Sequence, residues 1–157
     1  MIGGIRFRSV CIVLVLIALA AAALAAARDP AKGATESGAR LKVRSTSYGK
    51  AVFGPSRKVL YVFGADKGGK SHCYGACARA WPPLVTRGKP IAGPGVKATL
   101  LGTTRRRNGK LQVTYNGHPL YYYVDDTPTA ILCQHVNEYG GLWVIIKPNG
   151  RPNLAPR

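Results

Sequence analysis

One phrase occurs twice in this chain, as "VLYVFGAD" over Val59–Asp66 and as "PLYYYVDD" over Pro119–Asp126. In both copies an aromatic residue, a spacer, a second aromatic residue and two more residues lead to an Asp. Side chains two apart on an extended strand point to one face, so Tyr61 and Phe63 share a face, as do Tyr121 and Tyr123. Asp66 and Asp126 then fall just past a strand end, where a carboxylate accepts from turn amides. Each copy continues through a loop containing Gly or Pro to a Trp: Trp81 lies 15 residues after Asp66, and Trp143 lies 17 after Asp126. The chain is therefore expected to carry an internal duplication, with two half-domains sharing one core and each aromatic pair packed on sheet or Trp neighbours. Two copies are too few for a solenoid or a propeller.

The apolar pattern around these phrases is short and rich in Val, Ile, Tyr and Leu, with Gly, Pro or Asn every eight to twelve residues. It predicts strands over 50–53, 59–64, 98–104, 110–115, 120–124 and 143–146, and no helix longer than two turns. Asn108-Gly109 and Asn116-Gly117 favour the left-handed backbone of two-residue hairpins, which makes a meander of 98–124. The expected fold class is mainly β: two pseudo-repeats of antiparallel hairpins sharing one core, with a short helical or irregular Cys-x3-Cys loop. The duplicated domain is placed at 45–150, about 100 residues and enough for one modest core. A leader over 28–44, poor in large apolar residues, is expected to be disordered, and 151–157 to be a flexible tail.

The N-terminus reads as an export signal over 1–27. Arg6 and Arg8 precede an apolar run from Val10 to Ala27, and Ala25-Ala26-Ala27 suits cleavage before Arg28. The alternative is an uncleaved anchor, because that run could just span a bilayer. Lipidation needs a Cys directly after the apolar region; Cys11 lies at its start, so the chain is expected to be secreted or extracytoplasmic and not lipidated. The formal net charge is +17, from 23 Lys and Arg against six acids, with two of those cations in the signal. Such a surface speeds encounter with anions without choosing among them. The expected partners are an anionic cell-envelope polymer or a membrane surface. No specific nucleic acid is expected, because the bases form no continuous stripe and Arg105-Arg106-Arg107 beside Asn108-Gly109 reads as a solvated hairpin tip.

Several stretches together resemble a known family. "LYVFGADKGGKSHCYGACARAWPPLVTRGKP", "LLGTTRRRNGKLQVTYNGHPLYYYVDD" and "NEYGGLWVI" are similar to the bacterial secreted repeat of unknown function, also described as predicted lipoproteins with a Tyr-x-(Phe/Trp/Tyr)-x-x-Asp motif. The resemblance covers about Tyr48 to Pro148. It implies an exported, duplicated domain with no established activity, and Tyr61, Phe63, Asp66, Tyr121, Tyr123 and Asp126 match its motif. The missing lipid-acceptor Cys departs from the lipoprotein label.

Chemistry is sparse. Cys73 and Cys77 in "HCYGAC" most simply close a local disulfide in an exported protein. Removal of Cys11 leaves Cys133 as a third thiol, in "CQH", which places it in strand-like alternation with His135. With His72 these residues form the inventory for an alternative reading, a zinc or copper site or a thiol-redox centre built from His72, Cys73, Cys77, Cys133 and His135. The spacing is that of no known zinc module, and Cys-x3-Cys is one residue longer than the redox Cys-x2-Cys. There is no Gly-x-Ser-x-Gly and no His-Glu-x-x-His, and Asp125 and Asp126 diverge on an extended backbone. "KGGK" at 67–70 lacks the Ser or Thr of a P-loop. Tyr122, on the face opposite Tyr121 and Tyr123, is a candidate for exposed stacking. The expectation is a binding or structural module without catalytic activity and without a cofactor.

Overall fold

The computed structural model describes residues 38–156, all within the compact unit Thr35–Arg157. The expected signal at 1–27, with Cys11, most of the expected leader and Arg157 lie outside the described residues. The elements run β1 (Arg40–Thr46), β2 (Gly49–Phe53), β3 (Tyr61–Phe63), α1 (Ala76–Ala80), β4 (Val85–Thr86), β5 (Ile91–Ala92), a 3-10 turn (Ala98–Leu100), β6 (Leu101–Arg105), β7 (Leu111–Tyr115), β8 (His118–Pro119), β9 (Val136–Glu138) and β10 (Gly141–Ile145). They form three small sheets, ordered β2-β1-β5, β3-β10-β9 and β4-β7-β6, with β8 paired to β7. All ladders are antiparallel except β1 with β5. The fold is mainly β, as the short alternating segments predict.

The two halves repeat at an offset of sixty residues and build the same hairpin. In the first, β1 and β2 turn at Ser47-Tyr48 between Thr46 and Gly49; in the second, β6 and β7 turn through 106–110. Asn116 and Gly117 both have positive φ, as a two-residue turn between Tyr115 and His118 requires. The Asn108-Gly109 site differs from expectation. Only Gly109 is left-handed, and the chain closes a wider loop in which Arg106 N–H donates to Lys110 O at 2.9 Å.

The halves are held together by crossed pairing. Tyr61 and Tyr121 exchange both backbone bonds, at 2.9 and 3.0 Å. β3 of the first half then pairs with β10 of the second, Tyr61 opposite Ile145 and Phe63 opposite Trp143. Symmetrically, 120–124 of the second half lies against 80–84 of the first: Leu84 N–H donates to Leu120 O, Tyr122 N–H to Pro82 O and Val124 N–H to Ala80 O. Pro82 and Pro83 lack the N–H groups of a regular ladder, so this side is a bridge where its counterpart is a strand. Each motif strand therefore sits between the other half's motif strand and the other half's Trp strand.

Both faces of the motif strands are buried. Tyr61, Phe63 and Tyr121 enter one apolar cluster with Trp81 and Trp143, while Leu60, Val62 and Leu120 enter another with Leu41, Val113, Tyr115 and Ile146. Tyr122, expected on an exposed face, packs against this second cluster. Its hydroxyl lies over Gly54, where any Cβ would collide with it. Two end segments also differ from expectation. Residues 40–44, placed in a disordered leader, belong to β1, whose Leu41 is fully buried; Leu41 and Val43 alternating with Arg and Lys are too thin a signal. Residues 151–156, placed in a flexible tail, dock on β10: Asn153 N–H donates to Ile145 O at 2.9 Å, and Gln134 Nε2 donates to Asn153 O and Ala155 O.

Candidate functional site

The repeated motif residues converge on one centre. The Tyr61 hydroxyl of the first copy donates to Asp126 Oδ2 of the second at 2.7 Å, and the Tyr121 hydroxyl of the second donates to Asp66 Oδ2 of the first at 2.8 Å. The other oxygen of each carboxylate caps its own loop six residues on: His72 N–H donates to Asp66 Oδ1 and Leu132 N–H to Asp126 Oδ1, both at 2.8 Å. The turn role read from sequence is thus present on one oxygen. The tie between halves uses the other, and neither copy taken alone could have revealed it.

The second aromatic of each motif and the two Trp residues form a stack of four rings. Trp81 and Trp143 lie face to face with centroids 4.0 Å apart; Phe63 continues the stack on Trp143 at 4.1 Å, and Tyr123 caps Trp81 at 4.8 Å with a tilt of 44°. The first aromatics stand edge-on, Tyr61 to Trp81 and Tyr121 to Trp143, each at 5.1 Å. Aromatic pairs of these kinds are worth about 0.5–1.5 kcal/mol each beyond area burial. Both indole N–H groups are satisfied at Glu138, Trp81 Nε1 on its carboxylate and Trp143 Nε1 on its carbonyl.

Burial sets the electrostatics. Desolvation, followed by the partner carboxylate, pushes the Tyr61 and Tyr121 hydroxyls far above the usual phenol range, so both stay neutral donors. Desolvation also raises Asp66 and Asp126, while their amide and Tyr donors pull the other way. These groups are saturated by one another. Their chemistry is cross-linking of the two halves by hydrogen bonds.

The Asp66 corner carries a polar extension that the sequence did not announce. Tyr121 Oη also bonds Ser71 Oγ at 2.8 Å, and Ser71 accepts from the buried Arg106 guanidinium, which also donates to Cys73 O at 2.7 Å and Gln112 Oε1 at 2.6 Å. Arg106 and Arg107 both lie over the Tyr74 ring, at 4.5 and 4.3 Å. Only Arg105 and Arg107 of this group match the solvated tip read from sequence; Arg106 is 6 % exposed. A Gln between apolar residues in "LQVTY" was the available signal, because both faces of that strand are buried and its amide must find buried partners.

Cys73 and Cys77 form the disulfide, with Cα atoms 5.3 Å apart at the start of α1. Cys133, the second-half counterpart of Cys73, is buried, and its hydrogen bond with the Tyr123 hydroxyl is the leading cause that raises that phenol. His72 and His135 are exposed. The disulfide engages two of the sulfurs inventoried for a metal, and among the described residues no three His, Cys, Asp or Glu are grouped so as to hold one.

Two concavities lie outside this centre among the described residues. The larger, about 900 Å3, is bounded by β1, β4 and the β6–β7 hairpin, and Arg40, Arg87 and Lys110 line it. A smaller depression, about 270 Å3, lies where Arg44 covers Phe53, its guanidinium 4.9 Å from the ring. Among the described residues no helix is long and apolar enough to cross a membrane. No curated protein and no solved structure matches the chain. A family described as a secreted repeat of unknown function matches residues 42–85 and 102–147, the two halves that cross-pair through the Tyr and Asp residues; these cover more than half of the 157 residues, and the chain belongs to that family.

Proposed function

We propose that this protein is an exported, non-enzymatic binding module of the cell envelope, held there by an anionic polymer. It leaves the cell through its N-terminal segment, is cleaved before Arg28 and carries no lipid. The supporting observation is how the chain spends its acids. Asp66, Asp126 and Glu138 all accept from neutral donors, namely tyrosine hydroxyls, loop amides and an indole. The motif carboxylates thus serve the fold and leave the surface cations largely uncompensated in a chain of formal charge +17. Unneutralised positive charge raises the local concentration of polyanions and their association rate. A secreted protein with this surface and a doubly cross-linked core suits attachment in place of turnover.

The test is sedimentation of the mature chain with purified wall polymer over a range of salt. Binding at low salt and release by about 1 M salt, where the screening length falls to about 3 Å, without any reductant, is the expected result. Failure to bind at low salt, or retention at about 1 M, would overturn the proposal.

A further inference from the structure

The larger cleft goes further than net charge. We infer that it seats a linear phosphodiester polymer with a polyol or sugar backbone, as the specific attachment site of the module. This rests on the attachment reading above and assigns it a place.

Three cations converge on the cleft from separate elements: Arg40 from β1, Arg87 from the loop after β4, and Lys110 from the β6–β7 hairpin. All three are exposed, and among the described residues no acid lines the cleft. Among the described residues their side chains have no partner, whereas the backbone that carries them is fixed. Arg40 is in register with Ile91 and Thr86 with Leu111. The Thr86 hydroxyl accepts from Ala39 N–H at 2.9 Å and donates to Gly88 O at 2.8 Å, which ties the start of β1 to the loop bearing Arg87. Across the cleft Arg105 donates to Gly109 O at 2.8 Å and holds the hairpin beside Lys110. The site is therefore a set of exposed cations on a backbone held by hydrogen bonds, which confines the ordering cost of binding to the side chains.

The lining selects the class of polyanion. Two of the cations are Arg, whose planar fork fits phosphate oxygens in pairs. Val85, Ile91 and Leu111 supply apolar surface for the carbon backbone between phosphates. Among the described residues no aromatic side chain lines the cleft, so nucleic-acid bases would find no stacking platform in this lining. A bilayer is also a poor fit, because α1, with five residues, offers no amphipathic face to insert.

The experiment titrates poly(glycerol phosphate) into three proteins at low salt. These are the wild type, a cleft variant with Arg40→Ser, Arg87→Ser and Lys110→Ser, and a control with Lys50→Ser, Lys67→Ser and Arg151→Ser, which removes the same charge from exposed positions elsewhere. Thermal unfolding confirms that all three are folded. At about a factor of five for each cation facing an anionic surface, the cleft variant should bind about a hundredfold more weakly, and the control within about threefold of wild type. Equal losses in both variants would overturn the cleft while leaving charge-driven attachment standing. No binding by the wild type would overturn both. The same titrations with a DNA duplex and with anionic phospholipid vesicles should show no preference for an intact cleft. A hundredfold cleft-dependent loss for either would overturn the assignment of the occupant.

Discussion

The two halves of the molecule share one motif, one crossed pair of Tyr–Asp bonds and one position in the ring stack, yet they close their corners by different means. In the first half the loop after Asp66 is pinned by the Cys73–Cys77 disulfide, and Ser71 joins Tyr121 to the buried Arg106. Sixty residues on, the counterpart of Ser71 is Ile131, the counterpart of Cys77 is Asn137, and the residue matching Arg106 in the other hairpin is Thr46. Thr46 and Ile131 line the smaller depression, so that corner is open where its twin is filled by a buried guanidinium. The second half relies on Gln134 instead. Its Oε1 accepts from Ile145 N–H at 2.8 Å and its Nε2 holds the C-terminal residues. What the two halves keep in common is the tie between them; what surrounds each tie has diverged.

The most severe way to break the comparison is to remove a shared ring. Trp81→Ala and Trp143→Ala each delete a fully buried indole with three aromatic neighbours, two in the stack and one edge-on. Each should cost about 3–5 kcal/mol, a large part of the about 5–15 kcal/mol that holds a domain folded. Because the stack belongs to both halves, denaturant titrations should give the two variants equal losses and a single transition. Separate transitions, or one variant nearly as stable as wild type, would show that the halves have independent cores.

The corners should respond unequally. Arg106→Met strands Gln112 Oε1 and takes one donor each from Ser71 Oγ and Cys73 O in a buried region, at about 1–3 kcal/mol. Thr46→Ala, at the matching position, removes a bond to Gly49 O at an exposed turn, at less than about 1 kcal/mol. Equal midpoints in urea for these two variants would mean that the polar filling of the first corner does no more than the open depression of the second. The disulfide tests the same asymmetry. Reduction, or Cys73→Ser with Cys77→Ser, should cost about 2 kcal/mol for so short a loop, with hydrogen exchange accelerating in 66–81 and staying unchanged in 126–143.

These differences explain what the sequence could and could not reveal. The duplicated phrase predicts a strand in each copy, and its period of two puts each aromatic pair on one face; β3 forms at Tyr61–Phe63, whereas in the second copy only Tyr121 enters β-bridges. Which Asp serves which Tyr depends on the crossing of the halves, a relation between residues about sixty apart that no local pattern encodes. Arg106 escaped for a related reason. Arg in a run of three normally faces water, and its burial follows only from the 71–73 loop and Gln112 of β7 meeting it from two segments. β1 and the C-terminal residues are likewise held by partners in distant segments: Gly93 N–H donates to Leu41 O, and Asn153 Nδ2 donates to Tyr48 O.

The subtlest contrast lies in pH. Asp66 and Asp126 both have carboxyls raised above 3.8, with burial the leading cause. A raised folded value means that the native state holds its proton more tightly than the unfolded chain does. The stability these groups contribute is therefore fully present below about 3.8 and is lost as pH rises through their folded values. This opposes the usual acid denaturation, in which native carboxylates must be forced to protonate. Tyr61→Phe removes the donor that lowers Asp126, so it should extend the declining limb to higher pH. Asp66 loses a donor of the same kind in Tyr121→Phe but keeps the lowering fields of His72 and Arg106, whereas the Lys58 field at Asp126 is opposed by Asp125, so the Asp66 limb should move less. Urea midpoints measured between about pH 3 and pH 7 separate the two variants, and Asp126→Asn should abolish the Tyr61-linked part of the slope. If the two Phe variants shift the limb equally, Arg106 does not tune the first corner, and the divergence of the two halves is one of packing alone.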